Sequence, residues 1–335
     1  MTDPAQAHAH PYDALTPDLI LDSVEKTGLR CDGRLQPLNS FENRVYQVGI
    51  EDADPVIVKF YRPGRWVQPA ILEEHAFGHE LAAAELPVVA PLTAGESNGT
   101  LQEHSGFYYA LYPRQRGRAP ELDRLDTLRW MGRFIGRIHA IGALQAFEHR
   151  PTLDVRTFAE EPARFLLSGF IPEDLRAAYE ALAGQLITQL HACFERAGSV
   201  RHIRLHGDCH AGNVLWDADG PHFVDLDDAR NGPALQDLWM LLSGERAAME
   251  EQLAVVLAGY REFCDFDVRE LHLIEALRTL RMMHYAGWLA SRWDDPAFPR
   301  SFPWFNTQRY WQDHILALRE QMALMQEEPL ELRQA

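Results

Sequence analysis

The chain has 335 residues, with 32 Lys and Arg against 49 Asp and Glu, a formal net charge of −17 and a pI near 5.3. That balance argues against a nucleic-acid binder, which needs a basic stripe to release phosphate counterions, and against docking on an anionic bilayer. Hydrophobic residues make up 46%, too many for a disordered chain, and the length allows about two domains.

Cys31, Cys193, Cys209 and Cys264 are scattered without C-x-x-C spacing, which points to a reducing, cytosolic setting rather than a disulfide framework. Met1 to Tyr12 lack the basic start and apolar run of a signal peptide. No stretch approaches the ~18 to 20 apolar residues of a membrane span, so a soluble, cytoplasmic protein is expected.

In chain order, residues 16–28 predict a short helix, with Thr16 as cap, Pro17 at the first helical position and Gly28 at the stop. Alternation over Phe41–Ile50, the polar turn 51–55 and the run Val56–Tyr61 predict a hairpin. A helix is expected over Pro69–Leu86, broken by 87–91, and then an aromatic strand at Phe107–Tyr112 that Pro113 ends. From Leu122 the period changes to 3.6: Leu122, Leu125, Leu128, Met131, Phe134, Ile135 and Ile138 recur along one helix, Asp174–Ala197 forms another, and helices dominate Ala234–Gln326. Strands lead and helices follow. This predicts an α+β, two-lobed protein with a β-rich part at 1–111 and a helical part at 112–335.

The chemistry concentrates in residues 202–228. Two short strands, Val214–Trp216 and His222–Val224, flank the turn 217–221. Asp208 and Asn213 precede the first strand and Asp225 follows the second, so a hairpin can bring oxygen-bearing side chains together. Phosphoryl transfer needs such oxygens, because Mg²⁺ takes hard ligands and a separate carboxylate must orient or deprotonate the attacking hydroxyl. The protein-kinase catalytic loop places its Asn five residues after its Asp, as Asp208 and Asn213 stand here.

The segments H-G-D-C-H-A-G-N (206–213) and F-V-D-L-D-D (223–228) resemble the signature of the aminoglycoside/choline kinase superfamily, a branch of the protein-kinase-like fold. Residues 37–47, 58–63, 204–213, 223–242 and 295–304 extend the resemblance to one bacterial branch. That resemblance implies a bilobal, cytoplasmic, ATP- and Mg²⁺-dependent serine/threonine kinase that autophosphorylates and acts on protein substrates in stress responses. The alternative it leaves is a small-molecule hydroxyl kinase.

Carried over residue by residue, the resemblance makes Asp208 the proton acceptor, with Asp225 beside it in catalysis, and makes Asn213 and Asp225 the Mg²⁺ ligands. Lys59 becomes the lysine on the α- and β-phosphates of ATP, paired with Glu74, with Glu73 and Glu80 left open. Ser40 becomes a phosphate-loop contact, 110–113 the hinge, and Asp237 the brace beneath the catalytic loop. Two features depart from the pattern. N-S-F-E-N (39–43) stands where a glycine-rich loop would, and Leu226-Asp227 replaces the Phe-Gly of D-F-G. His206 and His210 invite a metal reading, but no further ligands stand in matching spacing, so loop support is expected. Cys209 is expected to be inert, the aromatic stripe Trp288, Trp293, Trp304, Phe305 and Trp311 to be packing, Arg114, Arg116 and Arg118 to be solvated, and Asp227 and Asp228 to be structural or solvent-facing.

Overall fold

The computed structural model describes residues 11–95 and 98–332; of the stretch read above for a leader, residues 1–10 lie outside them. Two compact units form: 1–119 with 212–227, and 120–211 with 228–335. The first therefore includes a distant hairpin and extends beyond the continuous stretch 1–111. No helix among the described residues is long and apolar enough to cross a membrane.

The first unit opens with α1 (Pro17–Glu25), whose Thr16 hydroxyl accepts from Leu19 N–H at 3.3 Å. Next come β1 (Cys31–Pro37), β2 (Arg44–Ile50), β3 (Val56–Phe60), α2 (Gln68–Ala83), β4 (Gln102–His104) and β5 (Phe107–Pro113). They build an antiparallel five-stranded sheet ordered β1-β2-β3-β5-β4. The period of two divides β3. Val56, Val58 and Phe60 enter a core with Val48, Ile50, Tyr109 and Leu111. Lys59 takes the other face, paired in register with Val45 and Ala110, and there Tyr61, Ala110 and Ile71 of α2 cluster.

The second unit contains α3 (Leu125–Gly142), α4 (Glu161–Leu167), α5 (Glu173–Ala197), β6 (Ile203–Leu205), β9 (Arg230–Gly232), α6 (Leu235–Leu238), α7 (Arg246–Tyr260), α8 (Ile274–Ser291), α9 (Ala297–Ser301) and α10 (Gln308–Leu324); β7 (Val214–Asp217) and β8 (Gly220–Phe223) belong to the first. Helices α3 and α7 approach so closely that a Cβ at Gly132 would lie 2.0 Å from the Val256 carbonyl. This contact seats His139 of α3 against Tyr260 of α7, with Nδ1 and the hydroxyl 3.0 Å apart. Most of the carboxy-terminal aromatics pack together: Trp311 is fully buried, and Phe305 lies 4.9 Å from Trp293 and 5.5 Å from Trp311, ring centre to ring centre, whereas Trp304 is exposed.

Buried Glu270 accepts from the Leu235 N–H at 2.8 Å and so fastens the start of α6. Burial outweighs that bond and pushes its pKa up from 4.5 to about 7. The folded state thus holds a proton that the unfolded state releases near 4.5. The associated stability is complete below that pH and is lost as pH rises through about 7, an effect of roughly 3 kcal/mol. Glu270→Gln should flatten that part of the stability profile, which urea unfolding between pH 4.5 and 8 will measure.

Candidate active site

Lys59 projects from β3 into a ring of carboxylates within the first unit. Its Nζ lies 3.1 Å from Asp225 Oδ1, 3.2 Å from Asp227 Oδ1 and 3.3 Å from Glu74 Oε1. Burial on its own would lower the Lys59 pKa; Asp227, Glu74 and Asp225 together hold it well above the ordinary lysine range. The ammonium is therefore charged at every physiological pH. Glu74 is the member of its helix that reaches it, because the buried face of α2 comprises Ala70, Ile71, Glu74, His75, Phe77, Gly78 and Leu81, while Glu73 and Glu80 are only partly buried and lie off it. Behind the ammonium the Tyr61 ring centre is 5.0 Å away, and its hydroxyl bonds His75 at 2.7 Å and the Tyr112 hydroxyl at 3.1 Å.

The β7–β8 hairpin carries Asn213 and Asp225 at its open end. Val214 pairs with Phe223, and the Val224 N–H donates to the Asn213 carbonyl at 3.0 Å. Asp225 has φ +61°, an unusual value for a non-glycine residue, costing about 1 to 3 kcal/mol. Its side chain remains 54% exposed while touching Lys59, so one carboxylate meets both the lysine and solvent.

Of the two alternatives left for Asp227, structural or solvent-facing, the structure shows the first: it is 3% exposed, with one oxygen by Lys59 and the other on Arg65. Only its position two residues beyond Asp225 could have drawn attention to it. Asp228, in the second unit, bonds Arg230 at 2.7 Å.

Asp208 belongs to the second unit. Arg281 of α8 contacts one carboxylate oxygen, and His210 Nε2 lies 3.4 Å from the other. Burial works to raise the Asp208 pKa, but the His210 bond and the Arg281 charge win and hold it well below the usual carboxylate range. Asp208 is thus an anion near neutral pH. Arg281 was absent from the sequence reading, since nothing in its helical surroundings distinguishes it.

Asp237 braces the loop that bears Asp208. It is fully buried and accepts from the His206 N–H at 2.8 Å and the Gly207 N–H at 2.9 Å, while His139 Nε2 stands 3.0 Å away. A proton on His139 Nε2 satisfies Asp237 and leaves Nδ1 to accept from Tyr260. Gly207 has φ +86°, and a Cβ there would lie 2.1 Å from the Asp228 carbonyl, so the loop needs glycine twice over. Cys209 is buried; burial first, then Asp237 and Asp208, push its thiol well up, which suppresses thiolate chemistry.

Ser40 lies in the 38–43 loop, where its hydroxyl donates to the Asn43 carbonyl at 3.1 Å. Arg62 pins that loop by donating to the Glu42 carbonyl at 3.0 Å, and its backbone N–H donates to Asn43 Oδ1 at 3.0 Å. Arg114, Arg116 and Arg118 are exposed, as expected. Among the described residues no group of three or more His, Cys, Asp or Glu side chains is arranged to hold a metal.

The model of the APH phosphotransferase enzyme family matches residues 34–274. The chain belongs to that family. It is 47% identical to stress response kinase A of Escherichia coli O157:H7 over 326 residues, 97% of this chain and 98% of the relative. It is 44% identical to the serine/threonine protein kinase RdoA of Salmonella typhimurium over 327 residues, again 97% and 98%. An amicoumacin kinase solved with AMP-PNP and Ca²⁺ superimposes with a TM-score of 0.72 at 19% identity, covering 93% of this chain and 94% of that one. This APH chain has the mixed α+β fold of the kinase-like phosphotransferases and is an ATP-dependent phosphotransferase.

Asn213 and Asp225 carry hard oxygens of the kind a divalent cation such as Mg²⁺ takes, and the Asp225 side chain is 54% exposed.

Asp237→Ala would strand two buried N–H donors and the His139 imidazole. We expect a loss of about 3 to 5 kcal/mol in urea unfolding, with Asp237→Asn losing less.

Proposed function

We propose that this chain is a Mg²⁺-dependent serine/threonine protein kinase that phosphorylates itself and protein substrates in a bacterial stress response. The observation that carries this reading is 44–47% identity across 97% of the chain to kinases bearing those names. The charge around Asp208 supports a protein acceptor. A kinase for cationic amino alcohols gains from an open anion near its base, but here Arg281 already meets that carboxylate, so the site has less need of a positive substrate.

In this reading Asp208 accepts the proton of the attacking hydroxyl. Its depressed pKa keeps it ionised, and the His206 and Gly207 N–H groups, donating to Asp237, fix the backbone that aims it. Lys59 holds the α- and β-phosphates, and Glu74 orients it from inside the fold. Ser40 and the backbone of its loop contact phosphate. Asn213 and Asp225 would hold Mg²⁺, which would supply charge neutralisation on the transferring phosphoryl group. Catalysis comes mainly from positioning and electrostatics, as phosphoryl transfer has little covalent work for the protein to do.

Incubation with γ-labelled ATP and Mg²⁺ tests this. Wild-type protein should incorporate label on Ser or Thr, as mass spectrometry will locate. Asp208→Ala should lose about 100- to 10,000-fold in rate without losing the fold by circular dichroism. Transfer by Asp208→Ala at the wild-type rate, or label only on small alcohols and never on protein, would overturn the reading.

A further inference from the structure

An unbroken run of alternating charge crosses the first unit. Lys59 meets Asp227; the second oxygen of Asp227 contacts Arg65; Arg65 lies 3.8 Å from Glu42; and Glu42 is paired with Arg62 at 3.0 Å. All are buried or nearly so, with side-chain exposures of 4% for Asp227 and 13% for Arg65. At one end stands the ammonium proposed to bind phosphate. At the other is the 38–43 loop that carries Ser40, its backbone held by Arg62.

We propose that Asp227 and Arg65 are positioning residues for the nucleotide, locking Lys59 and the 38–43 loop into one rigid phosphate-binding unit. The inference rests on the roles given above to Lys59 and Ser40. Its physical basis is a division of labour among the three carboxylates around Lys59. Asp225 is exposed and lies on a strained backbone, which suits a group that exchanges partners when Mg²⁺ and nucleotide arrive. Glu74 and Asp227 are both buried and stay behind. Glu74 holds Lys59 from the helix side, but Asp227 also has its other oxygen on a guanidinium, which fixes the carboxylate in place. A charge-assisted contact of this kind costs little further ordering when ligand binds. Arg65 then transmits the constraint to Glu42 and its loop. The residue that replaces the glycine of D-F-G thus acts as a second anchor for the phosphate lysine instead of as a pivot.

The test is a double-mutant cycle on full-length protein. Asp227→Asn, Arg65→Gln and the double variant are titrated with Mg-AMP-PNP by calorimetry, and KM for ATP and kcat are measured. We expect each single variant to weaken nucleotide binding on the order of tenfold, with a smaller change in kcat. The double variant should bind no worse than the weaker single, because both substitutions break one lock. Arg65→Lys should recover part of the affinity. A purely structural role would lower the melting temperature while leaving affinity additive or unchanged, and that result overturns the proposal. If Asp227→Asn does not fold, Arg65→Gln and Arg65→Lys alone decide it: unchanged nucleotide affinity in Arg65→Gln refutes the lock. Lys59→Ala serves as the reference. If it binds Mg-AMP-PNP like wild type, the reading of Lys59 fails; if it binds weakly while the Asp227 and Arg65 variants do not, only the present inference fails.

Discussion

Taking a lysine ammonium out of water costs several kcal/mol, and the cost falls on the folded state unless opposite charge is already in place. Lys59 meets three carboxylates at 3.1 to 3.3 Å, drawn from a helix and from the chain just after the β7–β8 hairpin. The first unit is organised around this requirement. Strand β3 turns Lys59 away from the apolar face; α2 must present Glu74 from its buried side; and the segment 225–227 must arrive from far along the chain. Were any of these misplaced, a buried charge would be left underpaired. The same packing that stabilises the unit therefore assembles a buried cation with one exposed partner, Asp225.

The second unit solves a different problem, the aim of one carboxylate on a short loop. The Asp237 carboxylate takes two consecutive N–H groups, and glycine at 207 permits the close approach of the Asp228 carbonyl. The brace is itself anchored through His139 and Tyr260, which depend on glycine-mediated contact between α3 and α7. Helix packing that looks remote from chemistry thus reaches the loop through a chain of buried hydrogen bonds.

Much of this was legible in the sequence, for reasons tied to period and spacing. The alternation of 56–61 and the switch to a 3.6 period after Leu122 produced β3 and α3 near their observed limits, because both elements bury a continuous apolar face. The β7–β8 hairpin was legible because two short apolar runs flank a polar turn, and its register pairs Val214 with Phe223. Strand β1 was not legible. It is a largely exposed edge strand whose register shifts between Cys31 and Leu35, with Gly33 at φ +85°, so it lacks the pattern that marks a half-buried strand. The three-residue β6 and β9 are too short to carry a period. Among site residues, Glu74 could be favoured but not chosen by helix phase alone. Asp227 and Arg281 acquire meaning only from partners distant in sequence, at Lys59 and Arg65 for the first and at Asp208 for the second.

The account depends on Asp225 leaving Lys59 for a nucleotide-bound cation. The most direct measurement is the affinity for AMP-PNP with and without Mg²⁺, by calorimetry, in wild-type protein and in Asp225→Asn. The predicted result is that Mg²⁺ strengthens binding to the wild type and has little effect on the variant. An Asp225→Asn protein whose affinity rises with Mg²⁺ as much as that of the wild type would contradict it.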